Sequence, residues 1–209
     1  HPRRMYHALT PWFNGQMGLA AILKHLAFGP FTVTHPPLDL PLPTNYVAVS
    51  FYGRATWPLD EERRDWVLAL IEGLQKIVPV VALESGVHTD EHVPFPLPQG
   101  VLSTQPWCTA TNGLAVQAAV LAKSHAFVGT YGGMMQLAVR MKKPAVGFYD
   151  TFHGTAYAHK LLTEWLGTEQ RSPVLIGRPE DAKFVQEVLQ VNSVPAPSQR
   201  GSSQVKQPA

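Results

Sequence analysis

The run Ala126-Phe127-Val128-Gly129-Thr130-Tyr131-Gly132-Gly133-Met134 decides the fold. An unbroken apolar strand over 126–129 passes through three glycines and a threonine into a helix over 133–141. The Pro144-led stretch 144–149 then reads as another strand. Working outward, the same alternation repeats. Upstream, 46–52 is a β-branched and aromatic run, and 61–77 places Trp66, Val67, Leu70, Ile71, Leu74 and Ile77 on one helical stripe. A second buried strand follows over 78–83, a short third over 101–103, and a helix over 112–123. Downstream come a helix over 155–166, a strand over 173–176 and a final helix over 180–189. Continuous hydrophobic strands alternating with amphipathic helices are what a parallel sheet covered on both faces requires. The expected fold is α/β, a doubly wound, Rossmann-like and mostly parallel sheet, with no internal repeat.

The chain has 209 residues, 45% apolar, 15% charged and 10% aromatic, which excludes a disordered or fibrous protein. Four zones differ in composition. Residues 1–29 hold one expected helix over 15–28, with an apolar face of Met17, Ala20, Ala21, Leu23 and Leu26, stopped by Gly29-Pro30. Residues 30–45 carry Pro30, Pro36, Pro37, Pro41 and Pro43 and read as a semi-rigid connector. Residues 46–191 hold the regular pattern, and 192–209 read as a disordered tail. That tail contains Arg200 and Lys206 and no acid, so it accounts for the whole net charge of +2, and residues 1–191 balance. No nucleic-acid partner is expected, because such a partner needs clustered positive charge. A single cysteine, Cys108, excludes an internal disulfide or a cysteine-based zinc site and fits a reducing, cytoplasmic compartment. No apolar run reaches the length that spans a bilayer.

In an open parallel sheet the ligand site lies beyond the carboxyl ends of the strands, and three loops there are unusual. In the turn Gly129-Thr130-Tyr131-Gly132-Gly133, glycines would let backbone N–H groups approach an anion, and the next helix adds its positive end; a phosphate or diphosphate is the natural guest. The same glycines would also serve tight strand–helix packing. The turn is neither GxGxxG nor GxxxxGK[ST], which sets aside dinucleotide dehydrogenases and P-loop NTPases. In Tyr52-Gly53-Arg54, the arginine can hold a phosphate bidentately or solvate a surface turn. In Thr109-Ala110-Thr111-Asn112, Thr111 or Asn112 suits a helix N-cap, and Asn112 and Gln117 are further polar candidates if that helix faces the site. His88 and His92 lie four apart in a segment that Pro94 and Pro96 mark as a loop, so an exposed turn is expected there rather than a metal site. His153 falls near a strand end and His159 in a helix, where a hydrogen bond to a partner is a commoner role than catalysis, and Cys108 has no sequence-local partner that would mark it as a nucleophile.

The segment from Asn112 through the glycine turn to Tyr149 resembles the donor-binding half of a GT-B glycosyltransferase, with the order of elements found in heptosyltransferases and fucosyltransferase-like enzymes. The resemblance covers residues 46–190. It implies a nucleotide-diphosphate sugar as donor, a carbohydrate or glycan as acceptor, and transfer of a hexosyl, fucosyl or heptosyl group without a metal or other cofactor. Gly129, Thr130, Tyr131, Gly132 and Gly133 would hold the diphosphate, and Gln136 would reach the sugar or ribose. Arg54 would neutralise the leaving group, and Asn112 and Gln117 would lie near the nucleoside. The turn departs from the heptosyltransferase pattern in lacking an Asp before it and a His after it. The catalytic base would come from a preceding acceptor domain, of which 1–29 would be the last helix, so the isolated chain is expected to be inactive. Such enzymes are cytoplasmic, in some cases peripheral at the membrane. Two alternatives stay open: a non-catalytic Rossmann-like binding or scaffold module, and a nucleotide-sugar epimerase drawing on Glu84, His88 and His153.

Overall fold

The fold is that of a computed structural model, whose description covers residues 39–54, 57–86, 93–151 and 155–190. The helix expected over 15–28, most of the connector 30–45, and the tail 192–209 lie outside these residues. Strands β1 (Val47–Ser50), β3 (Val80–Ala82), β5 (Leu102–Ser103), β6 (Ala126–Thr130), β7 (Ala145–Phe148) and β8 (Val174–Gly177) form one sheet in the order β5-β3-β1-β6-β7-β8. Every pairing in it is parallel. The helices are α1 (Glu61–Gln75), α2 (Gly113–Lys123), α3 (Gly133–Arg140), α4 (Thr155–Gln170) and α5 (Val185–Gln190).

Alternation along the strands builds two cores. Val47, Val49, Val128, Val146 and Phe148 face α1 and α5, meeting Val67, Ile71, Leu74, Val185 and Leu189. Ala48, Val81, Phe127, Ala145 and Ile176 face the other way, onto Val116, Val120 and Leu121 of α2, Met135, Ala138 and Val139 of α3, and Leu166 of α4. Both faces are therefore covered, as the unbroken apolar strands predict; each fully buried large side chain contributes about 1.5–3 kcal/mol. Helix α1 starts where Asp60 accepts a hydrogen bond from the Arg63 N–H at 2.8 Å, with Glu61 and Glu62 at the positive end of the helix. Among the described residues no helix is long and apolar enough to cross a membrane.

The structure departs from the sequence reading at several ends. The strand expected over 46–52 stops at Ser50, and a short β2 (Tyr52–Gly53) turns off to pair antiparallel with β4 (Val93–Pro94). Pro94, which has no N–H to donate, is tolerated because this two-residue ribbon has little ladder to lose. The helix expected over 180–189 divides into a 3-10 turn, Pro179–Phe184, and α5; the helix expected to end at 166 continues to Gln170.

Helices α3 and α4 end alike, and neither uses glycine. Lys142 and Arg171 adopt left-handed backbone conformations, with φ of 59° and 54°. Lys143 N–H donates to the Ala138 carbonyl and Lys142 N–H to Val139; Ser172 N–H donates to Gly167 and Arg171 N–H to Thr168. These are two Schellman caps whose left-handed position, usually a glycine, carries a cation.

Candidate functional site

After β1 the chain builds outward through β3 and β5, then returns across the sheet to lay β6 against the other side of β1. The progression reverses between β1 and β6. From there the continuation of β1 leads to α1 on one face, and that of β6 to α3 on the opposite face. A crevice opens at such a switch point beyond the carboxyl ends of the strands. Its two walls, 50–54 and 130–133, include the loop at Tyr52-Gly53-Arg54 and the glycine turn singled out by sequence, which are far apart in the chain and adjacent in space. A Cβ added to Gly132 would stand 3.9 Å from Nη1 of Arg54 and inside the Tyr52 hydroxyl. That hydroxyl is hydrogen-bonded to the Arg54 side chain; burial pushes its pKa up, and the arginine's hydrogen bond and charge pull partly against this. Arg54 is exposed, and its backbone makes a reciprocal pair of hydrogen bonds with Trp57, at 3.0 and 2.9 Å.

The glycines of the turn have different reasons to be glycine. At Gly129 a Cβ would run into the Ser50 carbonyl of the neighbouring strand, and at Gly132 into Tyr52, so packing within the fold explains both. At Gly133 a Cβ would meet nothing within 4 Å. Gly133 is exposed and is the first residue of α3, whose N-cap, Gly132, has no side chain to bond the first-turn amides. The free end of α3 thus presents N–H groups and a partial positive charge at the crevice.

The other residues named from sequence are placed as follows. Thr130 is 2% exposed, and its hydroxyl accepts from the Tyr52 N–H at 3.3 Å and lies 3.4 Å from the Tyr52 carbonyl, so it joins β6 to β2 within the fold. Tyr131 is buried in the α2/α3/α4 core; its hydroxyl meets Thr163 at 3.2 Å and the Gln136 side chain, which turns Gln136 toward this tyrosine. Burial raises the Tyr131 pKa. Asn112 does occupy the N-cap position of α2, yet its side chain makes no cap bond. It accepts from the Thr109 N–H and donates to the Trp107 carbonyl at 3.4 Å, closing the preceding turn. Gln117 is 8% exposed on α2. The structure therefore brings Arg54, Gly132 and Gly133 together and occupies Thr130, Tyr131, Gln136 and Asn112 with contacts of the fold. His88, His92 and His153 lie outside the described residues.

Sequence reasoning passed over two features of this edge. One is Tyr52 itself, although it stands in the quoted loop. The other is Arg63, whose Nη2 bonds Asp150 Oδ1 at 2.7 Å beyond β7 while its guanidinium lies 5.2 Å from the ring centre of fully buried Trp57. The signal available was positional, since Asp150 directly follows an expected strand. Glu84, beyond β3, accepts from the Ser103 hydroxyl at 2.6 Å, and its carbonyl takes the Thr104 hydroxyl at 2.7 Å. It borders a cavity of about 10 Å3 with Ser50, Phe51 and Phe95, room for one water. Among the described residues no three His, Cys, Asp or Glu side chains gather as metal ligands would.

No protein-family model and no curated protein matches the chain. Among solved structures it is similar to the iron-containing dodecameric glycosyltransferase TibC of enterotoxigenic E. coli H10407, at 18% identity over 56% of this chain and 29% of that one, TM-score 0.39. A glycotransferase of kitacinnamycin is 16% identical over 79% of this chain and 40% of that one, TM-score 0.45. The UDP-GlcNAc 2-epimerase of Methanocaldococcus jannaschii is 10% identical over 72% and 39%, TM-score 0.43. The chain spans well under half the length of each of these proteins. At such scores none of them decides its activity.

Proposed function

We propose that this chain is the donor-binding half of a GT-B-type glycosyltransferase, holding a nucleotide-diphosphate sugar in the crevice between β1 and β6. The observation that carries this reading is the approach of the Arg54 guanidinium to Gly132 at the uncapped start of α3, on the switch point of the sheet. A diphosphate laid there would receive first-turn N–H bonds on one side and a bidentate arginine on the other. As the sugar departs toward its acceptor, negative charge grows on the leaving diphosphate. The helix end and Arg54 would lie beside that charge and stabilise it without a metal from this half. The acceptor and the base that deprotonates it would belong to a second domain, so this chain alone binds donor and transfers nothing.

Calorimetric titration with UDP, GDP, ADP, CMP and inorganic pyrophosphate tests the reading. Binding of at least one nucleoside diphosphate, lost in Arg54→Ala, supports it; absence of binding at millimolar concentration refutes it. Sugar transfer by the isolated chain would refute the assignment of the base to another domain.

A further inference from the structure

The even charge balance of residues 1–191 conceals a polarity of the fold. Helices α1 to α4 each carry the chain back to the amino edge of the sheet, where the connections are 76–79, 123–125, 141–144 and 171–173. These hold Lys76, Lys123, Lys142, Lys143 and Arg171 and no aspartate or glutamate. The closest acids along the chain are Glu72, before Lys76, and Glu169, before Arg171. The connections lead into β3, β6, β7 and β8, and with β1 between the first two these strands are consecutive in the sheet. At about 4.8 Å per strand the cations form a row roughly 20 Å long. Lys76, Lys123, Lys142 and Arg171 are exposed, and Ile77, next to Lys76, is 58% exposed.

Complementing helix dipoles accounts for a cation near the end of a helix. It does not account for placing Lys142 and Arg171 in left-handed conformations, where glycine or asparagine sits without strain. Nor does it account for an exposed isoleucine in the same row. We propose that the amino edge is a docking surface for an anionic phospholipid membrane, with the row of Lys and Arg on lipid phosphates and Ile77 entering the headgroup layer. A planar, charge-dense partner fits cations drawn from four separate connections on one edge of the sheet, Lys76 from the face that α1 covers and the others from the face of α2, α3 and α4. An aliphatic side chain finds a partner in lipid and none along a phosphodiester backbone, which favours a membrane over a nucleic acid. The surface lies on the edge opposite the donor crevice and does not depend on it.

The test is co-sedimentation of the 209-residue chain with phosphatidylcholine vesicles, with and without phosphatidylserine, at physiological salt. The expected result is binding to the anionic vesicles alone, weakened roughly 25-fold in a Lys142→Gln/Arg171→Gln double variant, about fivefold per charge. A Lys142→Gly/Arg171→Gly variant relieves the backbone, keeps the fold, and should lose binding equally; Ile77→Ser should weaken binding further. Nucleotide affinity should be unchanged in all of them. No vesicle binding, equal binding to neutral and anionic vesicles, variants that bind like the parent chain, or binding to an RNA oligonucleotide but not to vesicles would each overturn the proposal.

Discussion

Gly133→Ala should raise stability and lower ligand affinity, two effects that a purely structural glycine could not combine. Gly133 opens α3 with no positive φ, and a Cβ there meets no atom within 4 Å, so alanine fits. Replacing glycine at a compatible helical position stabilises by about 0.4–1 kcal/mol, or roughly 1–4 °C in Tm for a domain of this size. The added methyl stands beside the first-turn amides, where a phosphate oxygen has to approach. Losing one charge-assisted hydrogen bond costs about 1.5–3 kcal/mol, about 10- to 150-fold in Kd. Gly132→Ala is the contrast, because its methyl falls on the Tyr52 hydroxyl and that side chain or the loop must shift, at about 1–3 kcal/mol of stability. Thermal denaturation and calorimetric titration with the nucleoside diphosphate that binds the parent chain read both quantities. An unchanged Kd in Gly133→Ala would remove the anion cradle from the reading, and a fall in Tm would refute the geometry of the helix start.

Arg54→Ala, at an exposed side chain, should leave stability within about 0.5 kcal/mol and weaken nucleoside diphosphate binding at least tenfold, with Arg54→Lys recovering only part; unfolding and titration experiments separate the two. Thr130→Val should cost about 1 kcal/mol by breaking the link to the Tyr52 backbone while leaving Kd nearly unchanged; a large affinity loss at constant stability would instead give that hydroxyl to the ligand. Burial lowers the His159 pKa, so the folded chain holds fewer protons there than the unfolded chain on acidification. Its stabilisation is complete above about pH 6.5 and is lost as pH falls through the lowered value, so the parent chain should lose more Tm than His159→Gln between about pH 7.5 and 5.5. Equal losses would refute this.

Strand and helix periods carried most of the fold, because a strand buried on both faces leaves an unbroken apolar run, as in 126–129 and 144–149. What escaped were features set by contacts between distant segments. Nothing local in Val93-Pro94 announces a ribbon partner for Tyr52-Gly53, since two residues are too few for any period to show. The end of α4 was hard to place because Arg171 fills the position where a glycine would have marked the stop. At the candidate site, Arg54 and the glycine turn were legible because both types have few reasons to stand at a strand's carboxyl end. Thr130, Gln136 and Asn112 were not, because a short polar side chain serves a turn or a ligand equally well, and only the partner's position decides. The amino-edge row was invisible to net charge, which sums over both edges.

The pairing of β1 with β6 sets Val47 beside Ala126, joining segments about 80 residues apart. The entropy of closing a loop must be met before such a contact stabilises anything, so distant parallel pairings form slowly. The crevice does not exist until this pairing is made, even if α3, β7, α4 and β8 have already assembled among themselves. A ligand seated there would bridge the first and second halves of the sheet and bind only the completed chain. Nucleotide binding during refolding would then report the last and least local step of assembly, later than any signal from helix content.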